Sequence, residues 1–267
     1  MTVYQALDYA LTDGVATVTM NQPKARNPLS VALKEDFSRL FPILKSDGDV
    51  RVVILRGQDG VFCGGGDLKF LDGTDRTTVE DRDRIWELHD WFQILVNMEK
   101  PVIAAVDGVA YGGGFGLALG KDFILLSDRA RLCSVFSRIG LVPDVGVIFS
   151  LPRVVGLQRA KEIAMTGRPV FAEEAKQLGI AMEVYPADSL YAEADKLARR
   201  LALSSTKAQG MTKRAMNQSF TMDAAAAVEV EALMQSVLFQ SDYHKDAINR
   251  FVNKKPLKFN WEDMTND

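Results

Sequence analysis

Apolar residues follow two alternating rhythms along the first half of the chain. One is a set of short β-branched runs; the other is longer stretches with apolar positions three and four apart. "VATVTM" (15–20) and "VRVVILR" (50–56) are short, β-branched and bounded by Gly or Asp, which predicts strands. Between them Leu33, Phe37, Leu40, Phe41 and Leu44 share one helical face, and Ser30 stands where an N-cap belongs. Leu88, Trp91, Phe92 and Leu95 repeat that spacing and predict a helix over 85–99. "PVIAAV" (101–106) reads as a buried strand, and "FILLS" and "ARLCSVF" as two more. The polar, charged run 73–84 reads as a mobile loop. From about Leu157 the pattern turns nearly all helical, through "LQRAKEIAMTG", "AEEAKQLG", "LYAEADKLARRLALS", "AQGMTKRAMNQS" and 222–251, with one strand, "AMEVY", between them. Strands alternating with helices define an α/β protein.

Composition narrows the function more than the fold. The 267 residues suffice for one large α/β domain or a core with an appendage, and 47% apolar with 25% charged residues is ordinary for a globular chain. A formal net charge of −3 gives no basic field for nucleic acid or an anionic membrane surface. Cys63 and Cys133 cannot build a disulfide framework, so a reducing, cytoplasmic setting is expected. The first twenty residues lack the basic and apolar regions of a signal peptide, and no uninterrupted apolar run reaches membrane-spanning length.

Candidate chemistry gathers at two glycine loops. "CGGGDLK" follows one strand, and "YGGGFG" follows another and opens a helix; 108–116 alone holds five glycines. Glycine costs about 0.5–1 kcal/mol in a helix relative to Ala, so such a run marks a close approach of backbone. Backbone N–H groups aimed at one spot, with a helix N-terminus behind them, suit a developing negative charge on oxygen. Leu117 or Leu119 breaks the G-x-G-x-x-G dinucleotide pattern, and no Gly-Lys-Ser/Thr follows either loop. His89 and His244 have no metal-ligand spacing with the cysteines, and no G-x-S-x-G elbow is present.

The segments "NQPKARNPLS", "GVFCGGGDLK", "KPVIAAVDGVAYGGGFGLALGKDFILLSDRARL", "IGLVPDVGVIFSLPRVVGLQRAKEIAMTGRPVFAEEAKQLGI" and "FVNKKPLKF" resemble, in order and over nearly the whole chain, the crotonase (enoyl-CoA hydratase/isomerase) superfamily. The resemblance implies a crotonase-like spiral of ββα units in 1–200, which holds an acyl-CoA site, and a helical oligomerisation region in 201–267. It also implies a homotrimer or dimer of trimers, acyl-CoA thioesters as substrates, and no cofactor beyond the substrate's own coenzyme A. Carried over by position, the N–H groups of Gly66 and Gly113 would hold the thioester oxygen. Lys24, Arg26, Gly64, Asp67, Leu68 and Phe136 would line the substrate and CoA surface, and Lys254 and Lys255 would approach a CoA phosphate. Independently of the resemblance, "AAAAVEVEALMQSVLF" has more apolar surface than one helix needs, which points to another subunit.

Hydration needs two acid/base groups. The hydratases of this superfamily carry two glutamates where this chain has Gly116 and Phe136, so ordinary hydration is disfavoured. Asp144 in "IGLVPDVG" precedes an apolar run that reads as a helix, and bare sequence suggests an N-cap. By resemblance, the corresponding aspartate is catalytic in dienoyl-CoA isomerases, epoxyphenylacetyl-CoA isomerases and 4-chlorobenzoyl-CoA dehalogenase. Flanked by Leu141, Val142 and Val145, it would be partly desolvated and its pKa raised. His89 matches by position the dehalogenase histidine that activates water, although Phe136 replaces a hydrogen-bonding tryptophan. The expected activity is an enoyl-CoA isomerase-type proton shuttle on Asp144. The alternatives are a hydrolytic or dehalogenating enzyme with an Asp144 nucleophile and His89, an enoyl-CoA hydratase, and a non-catalytic acyl-CoA-binding protein.

Overall fold

The structure is a computed structural model and describes residues 3–72 and 75–262. The chain opens with a hairpin of β1 (Leu7–Thr12) and β2 (Val15–Met20). Asp13 and Gly14 turn it with both φ angles positive, at 51° and 79°, as a two-residue hairpin loop requires. The hydrophobic pattern did not announce β1, because it is an edge strand with only Leu7 buried.

From β2 onward the chain winds in ββα turns. The first comprises β2, β3 (Pro28–Leu29) and α1 (Val31–Ser46), and α1 is capped by the Ser30 side chain as expected. The second runs through β4 (Val52–Gly57), β5 (Gly65–Gly66), the short α2 (Leu68–Leu71) and α3 (Thr78–Asn97). The third is β6 (Val102–Val106), β7 (Val109–Tyr111) and α4 (Gly113–Leu119). Next come β8 (Phe123–Ser127), β9 (Arg131–Cys133), α5 (Val147–Val155) and α6 (Leu157–Thr166). They are followed by β10 (Pro169–Phe171), α7 (Ala172–Gln177), β11 (Glu183–Tyr185) and α8 (Leu190–Ala202). The first strand of each turn joins a six-stranded sheet of order β1-β2-β4-β6-β8-β11, parallel except for β1. The second strands form smaller sheets, β3 with β5 and β7 with β9 and β10. This is the expected crotonase-like spiral.

Both faces of the large sheet are buried, which explains why its strands read as continuous apolar runs. On one face Val52, Ile54, Ile103 and Leu125 pack against Leu190, Leu197 and Leu201 of α8. On the other, Phe37 and Phe41 of α1 stack at 4.7 Å, and Trp91 of α3 meets Phe37 at 5.0 Å. Each such side chain removed from water stabilises the fold by about 1.5–3 kcal/mol.

Part of the 73–84 stretch is ordered helix rather than loop. Thr77 and Glu80 form a reciprocal capping box that starts α3 at Thr78, ahead of its apolar stripe, and residues 73–74 lie outside the described residues. The predicted helix over 222–251 is two, α10 (Ala224–Phe239) and α11 (Asp242–Val252), separated at Ser241, whose side chain caps the second. They follow α9 (Thr206–Gln218), and neither α10 nor α11 has a buried residue in the isolated chain.

Candidate active site

The two glycine loops meet edge to edge. Cys63 N–H donates to Val109 O and Tyr111 N–H to Cys63 O, both at 2.9 Å, which lays the β5 loop along β7. Gly65 has φ +99°, and a Cβ there would lie 2.6 Å from Tyr111 O and 3.5 Å from Gly113 N. At Gly114 a Cβ would lie 2.3 Å from Cys63 O. Only glycine permits this approach. Gly113 is the first residue of α4, so its N–H has no acceptor within the helix. Gly66 is exposed at the mouth of the same junction.

Asp144 enters from the far side. A Cβ on Gly113 would stand 3.8 Å from Asp144 Oδ1, 3.0 Å from Val145 Cγ2 and 2.8 Å from Leu29 Cδ1. Asp144 does not cap α5: the N-cap is Gly146, and no side chain caps that end. Its Oδ1 is instead buried without a hydrogen-bond partner. Burial pushes the carboxyl up to about 6; a hydrogen bond from its own backbone N–H and, to a smaller extent, the positive charge of Arg84 oppose that rise. The loop holding it is strained: Val145, buried and β-branched, sits at φ 47° next to Gly146 at 75°.

The same loop explains Gly116. A Cβ there would be 2.4 Å from Val145 O and 2.8 Å from Val145 Cβ. The room that a carboxylate side chain would need is filled by the backbone that presents Asp144. Phe136 is buried against the junction, its Cζ 3.8 Å from a Cβ on Gly112.

The remaining predicted residues divide into groups. Lys24 and Asp67 line one open groove with Gln22, Ser30 and Gln58, beside the glycine junction. Asp67 also caps α2 through Phe70 N–H, and Leu68 follows it, 60% exposed. Arg26 is exposed and left-handed at φ 65°, and its carbonyl accepts from Gly64 N–H at 2.7 Å. His89 lies on α3. It packs edge-on against Phe92 at 5.8 Å and lines a groove with Arg82, Ile85 and Trp86. Burial lowers its pKa, and the negative charge of Asp90 partly opposes that. Lys254 and Lys255 are exposed beyond α11, in a depression with Phe251, Val252 and Pro256 that shares no residue with the Lys24–Asp67 groove.

Two residues escaped the sequence reading. Asn27 is buried at φ 47°; its Oδ1 accepts from Gln22 N–H at 2.7 Å, and its Nδ2 donates to Val61 O at 2.6 Å, fixing the Lys24 loop to the β5 loop. Asn tolerates the left-handed region, and its place in "KARNPLS" was the available signal. Arg84 had no signal, because the carboxyl its charge acts on lies sixty residues away. Among the described residues, no group of three or more His, Cys, Asp or Glu could hold a metal ion.

A ββα spiral with two glycine loops abutting beside a buried carboxyl defines a protein of the crotonase class. The family model described as enoyl-CoA hydratase/isomerase matches residues 10–264, and the chain belongs to that family. It is 31% identical to a probable mitochondrial enoyl-CoA hydratase of Dictyostelium discoideum, over 90% of this chain and 86% of the relative. It is 31% identical to 1,2-epoxyphenylacetyl-CoA isomerase of Escherichia coli strain K12, over 92% and 95%. It is 32% identical to 4-chlorobenzoyl coenzyme A dehalogenase-2 of an Arthrobacter species, over 85% and 83%. The crystal structure of an enoyl-CoA hydratase/isomerase from Cupriavidus metallidurans CH34 superposes with a TM-score of 0.92 at 35% identity, covering 97% of both chains.

Proposed function

We propose that this chain is an acyl-CoA isomerase of the proton-shuttle type, with Asp144 as the acid/base. The observation that carries this reading is the buried, unpartnered Asp144 Oδ1 beside Gly113, on a loop whose backbone fills the space at Gly116. A carboxyl raised to about 6 is ionised at neutral pH and basic enough to take a proton from a carbon acidified by the thioester. The negative charge moves onto the thioester oxygen, which rests on the N–H groups of Gly66 and Gly113, each donor stabilising it by about 2.7–4 kcal/mol. The protonated Asp144 exchanges its acid hydrogen with solvent and delivers a proton at another carbon, which moves the double bond and restores the carboxylate. No water is consumed and no cofactor is required.

The Lys24–Asp67 groove suits the polar part of coenzyme A, with Lys24 and Arg26 offering positive charge. In this reading residues 1–200 hold the thioester site and 201–267 supply contacts between subunits. The apolar Phe136 ring, at the position where the dehalogenases carry a hydrogen-bonding tryptophan, favours a proton shuttle over an aspartyl-ester route.

The test is turnover of a panel of 2- and 3-enoyl-CoA esters in deuterated water. Deuterium should enter the acyl chain together with double-bond movement, and Asp144→Asn should lower the rate by several orders of magnitude. Hydration of crotonyl-CoA should be weak. Near wild-type isomerisation by Asp144→Asn would overturn the assignment.

A further inference from the structure

The Phe92 ring is seated between two glycines from different elements. A Cβ on Gly120, the C-cap of α4, would stand 2.7 Å from Phe92 Cζ and 3.0 Å from Cε2. A Cβ on Gly146, the N-cap of α5, would stand 2.9 Å from Cε1 and 3.3 Å from Cζ. A side chain at either place would collide with the ring, although Gly120 has an ordinary φ of −77°. Trp91 and His89 meet the ring edge-on at 6.0 and 5.8 Å, and Lys121 Nζ lies over its face at 5.0 Å. Phe92 is buried by these neighbours.

The ring bears on the segment that carries Asp144. Val147 N–H donates to Asp144 O at 3.0 Å and Ser150 N–H to Gly146 O at 2.8 Å, so residues 144–146 are tied to the first turn of α5. The same segment meets α4, where a Cβ on Gly113 would lie 3.0 Å from Val145 Cγ2 and one on Gly116 2.4 Å from Val145 O. A strained backbone such as Val145 at φ 47° persists only where its surroundings over-determine it. Here the surroundings are α4 and the Phe92 ring, which itself rests on the end of α4.

We propose that Phe92 is a positioning residue for Asp144, a spacer whose ring fixes Gly146 relative to the end of α4 and so sets the carboxyl beside Gly113, the first residue of that helix. This rests on the proton-shuttle reading of Asp144. Because Gly113 opens α4 and Gly120 follows its last residue, the oxyanion donor and the base are both gauged from one short helix. A misplacement of about 1 Å can cost roughly a hundredfold in rate. His89 and Lys121 are the titratable groups on the ring, and Arg84 is the charged side chain acting on Asp144; the variants below alter none of them.

The test is a double-mutant cycle on the full chain that approaches the contact from both sides. Phe92→Leu shortens the spacer and should lower kcat for enoyl-CoA isomerisation by roughly 10- to 100-fold, with KM changed by less than about threefold. Gly146→Ala drives a methyl into the ring and should also lower kcat. Combined with Phe92→Leu, which makes room for the methyl, the loss should be at least about fivefold smaller than the product of the single losses. The strain of Ala at this positive φ is common to both backgrounds and cancels in the cycle.

A second readout needs no substrate. With ¹³C at the aspartate carboxyls and Asp144→Asn as the assignment, Phe92→Leu should lower the Asp144 midpoint from about 6 by roughly half a pH unit, as a loosened loop admits water. Phe37→Leu is the control: it removes a core ring set against Phe41 and Trp91, and should cost stability while leaving kcat and the midpoint in place. Multiplicative losses in the cycle would overturn the proposal. So would a folded Phe92→Leu protein with an unmoved midpoint, or a Phe37→Leu protein with the same losses. Should Phe92→Leu fail to fold, Gly120→Ala tests the seat from α4, and an unchanged kcat there overturns the spacer. Failure of the proton shuttle is read separately, by Asp144→Asn turnover, and leaves the spacer to be judged on the midpoint.

Discussion

Burial keeps Asp144 reluctant to ionise, and this has a cost that can be measured. Its folded pKa of about 6 lies above the ordinary 3.8, so the folded state binds this proton more tightly than the unfolded chain does. The group's contribution to stability is therefore fully present below about pH 3.8 and is lost as pH rises through about 6. At neutral pH the ionised carboxylate costs on the order of 3 kcal/mol. Asp144→Asn should accordingly unfold at higher urea concentration than wild type at pH 8, and the gap should close towards pH 4. For the wild type, kcat/KM should fall about tenfold per pH unit below about 6, where the base is protonated. A flat acid limb would show that another group takes the proton.

Among the elements, α4 and the Asp144 loop are a single fitted pair. All seven residues of α4 are buried, and the face bearing Gly113 and Gly116 lies against Leu29, Val145 and Asp144. In an open helix Gly→Ala is stabilising. Here the added methyl would lie 2.4 Å from the carbonyl of Val145, an atom fixed by a strained backbone, so overpacking outweighs propensity. Gly116→Ala should lose about 1–3 kcal/mol in chemical denaturation. Gly116→Glu should lose more and gain no crotonyl-CoA hydration, because a side chain there displaces the Asp144 loop. Substantial hydratase activity in that variant would show that the loop yields readily.

At the scale of the whole molecule, the unpartnered surface is concentrated in the last helices. Leu233 of α10 is 66% exposed and Phe251 of α11 73% exposed, and neither helix buries a residue within its own chain. So much apolar area on adjacent helices leads us to expect an interface with other subunits. Sedimentation velocity should give a trimer or a dimer of trimers, and Leu233→Asp should shift it towards monomer. A wild-type monomer at micromolar concentration would contradict this. Among the described residues no helix is long and apolar enough to cross a membrane.

Local patterning and motif order determined much of this protein. The stripe Leu33–Phe37–Leu40–Phe41–Leu44, the Ser30 cap, the two-sided apolar strands and the two glycine loops were all legible, because each depends on spacing within a short segment. Edge strand β1 was hidden by its exposure, and the start of α3 by a polar first turn held by a capping box. Asp144 was legible as a carboxyl of interest, yet sequence alone favoured a helix cap. Its actual state was decided by tertiary structure, which turned the side chain away from α5 and buried Oδ1 beside Gly113. Only the fold could show why residue 116 is glycine, since the obstructing carbonyl comes from residue 145. Only the fold could set Phe92 against the Asp144 loop and bring the charge of Arg84 to bear on that carboxyl. The physical reason is common to all three: close approach, desolvation and electrostatic coupling depend on distances through space, between segments far apart along the chain.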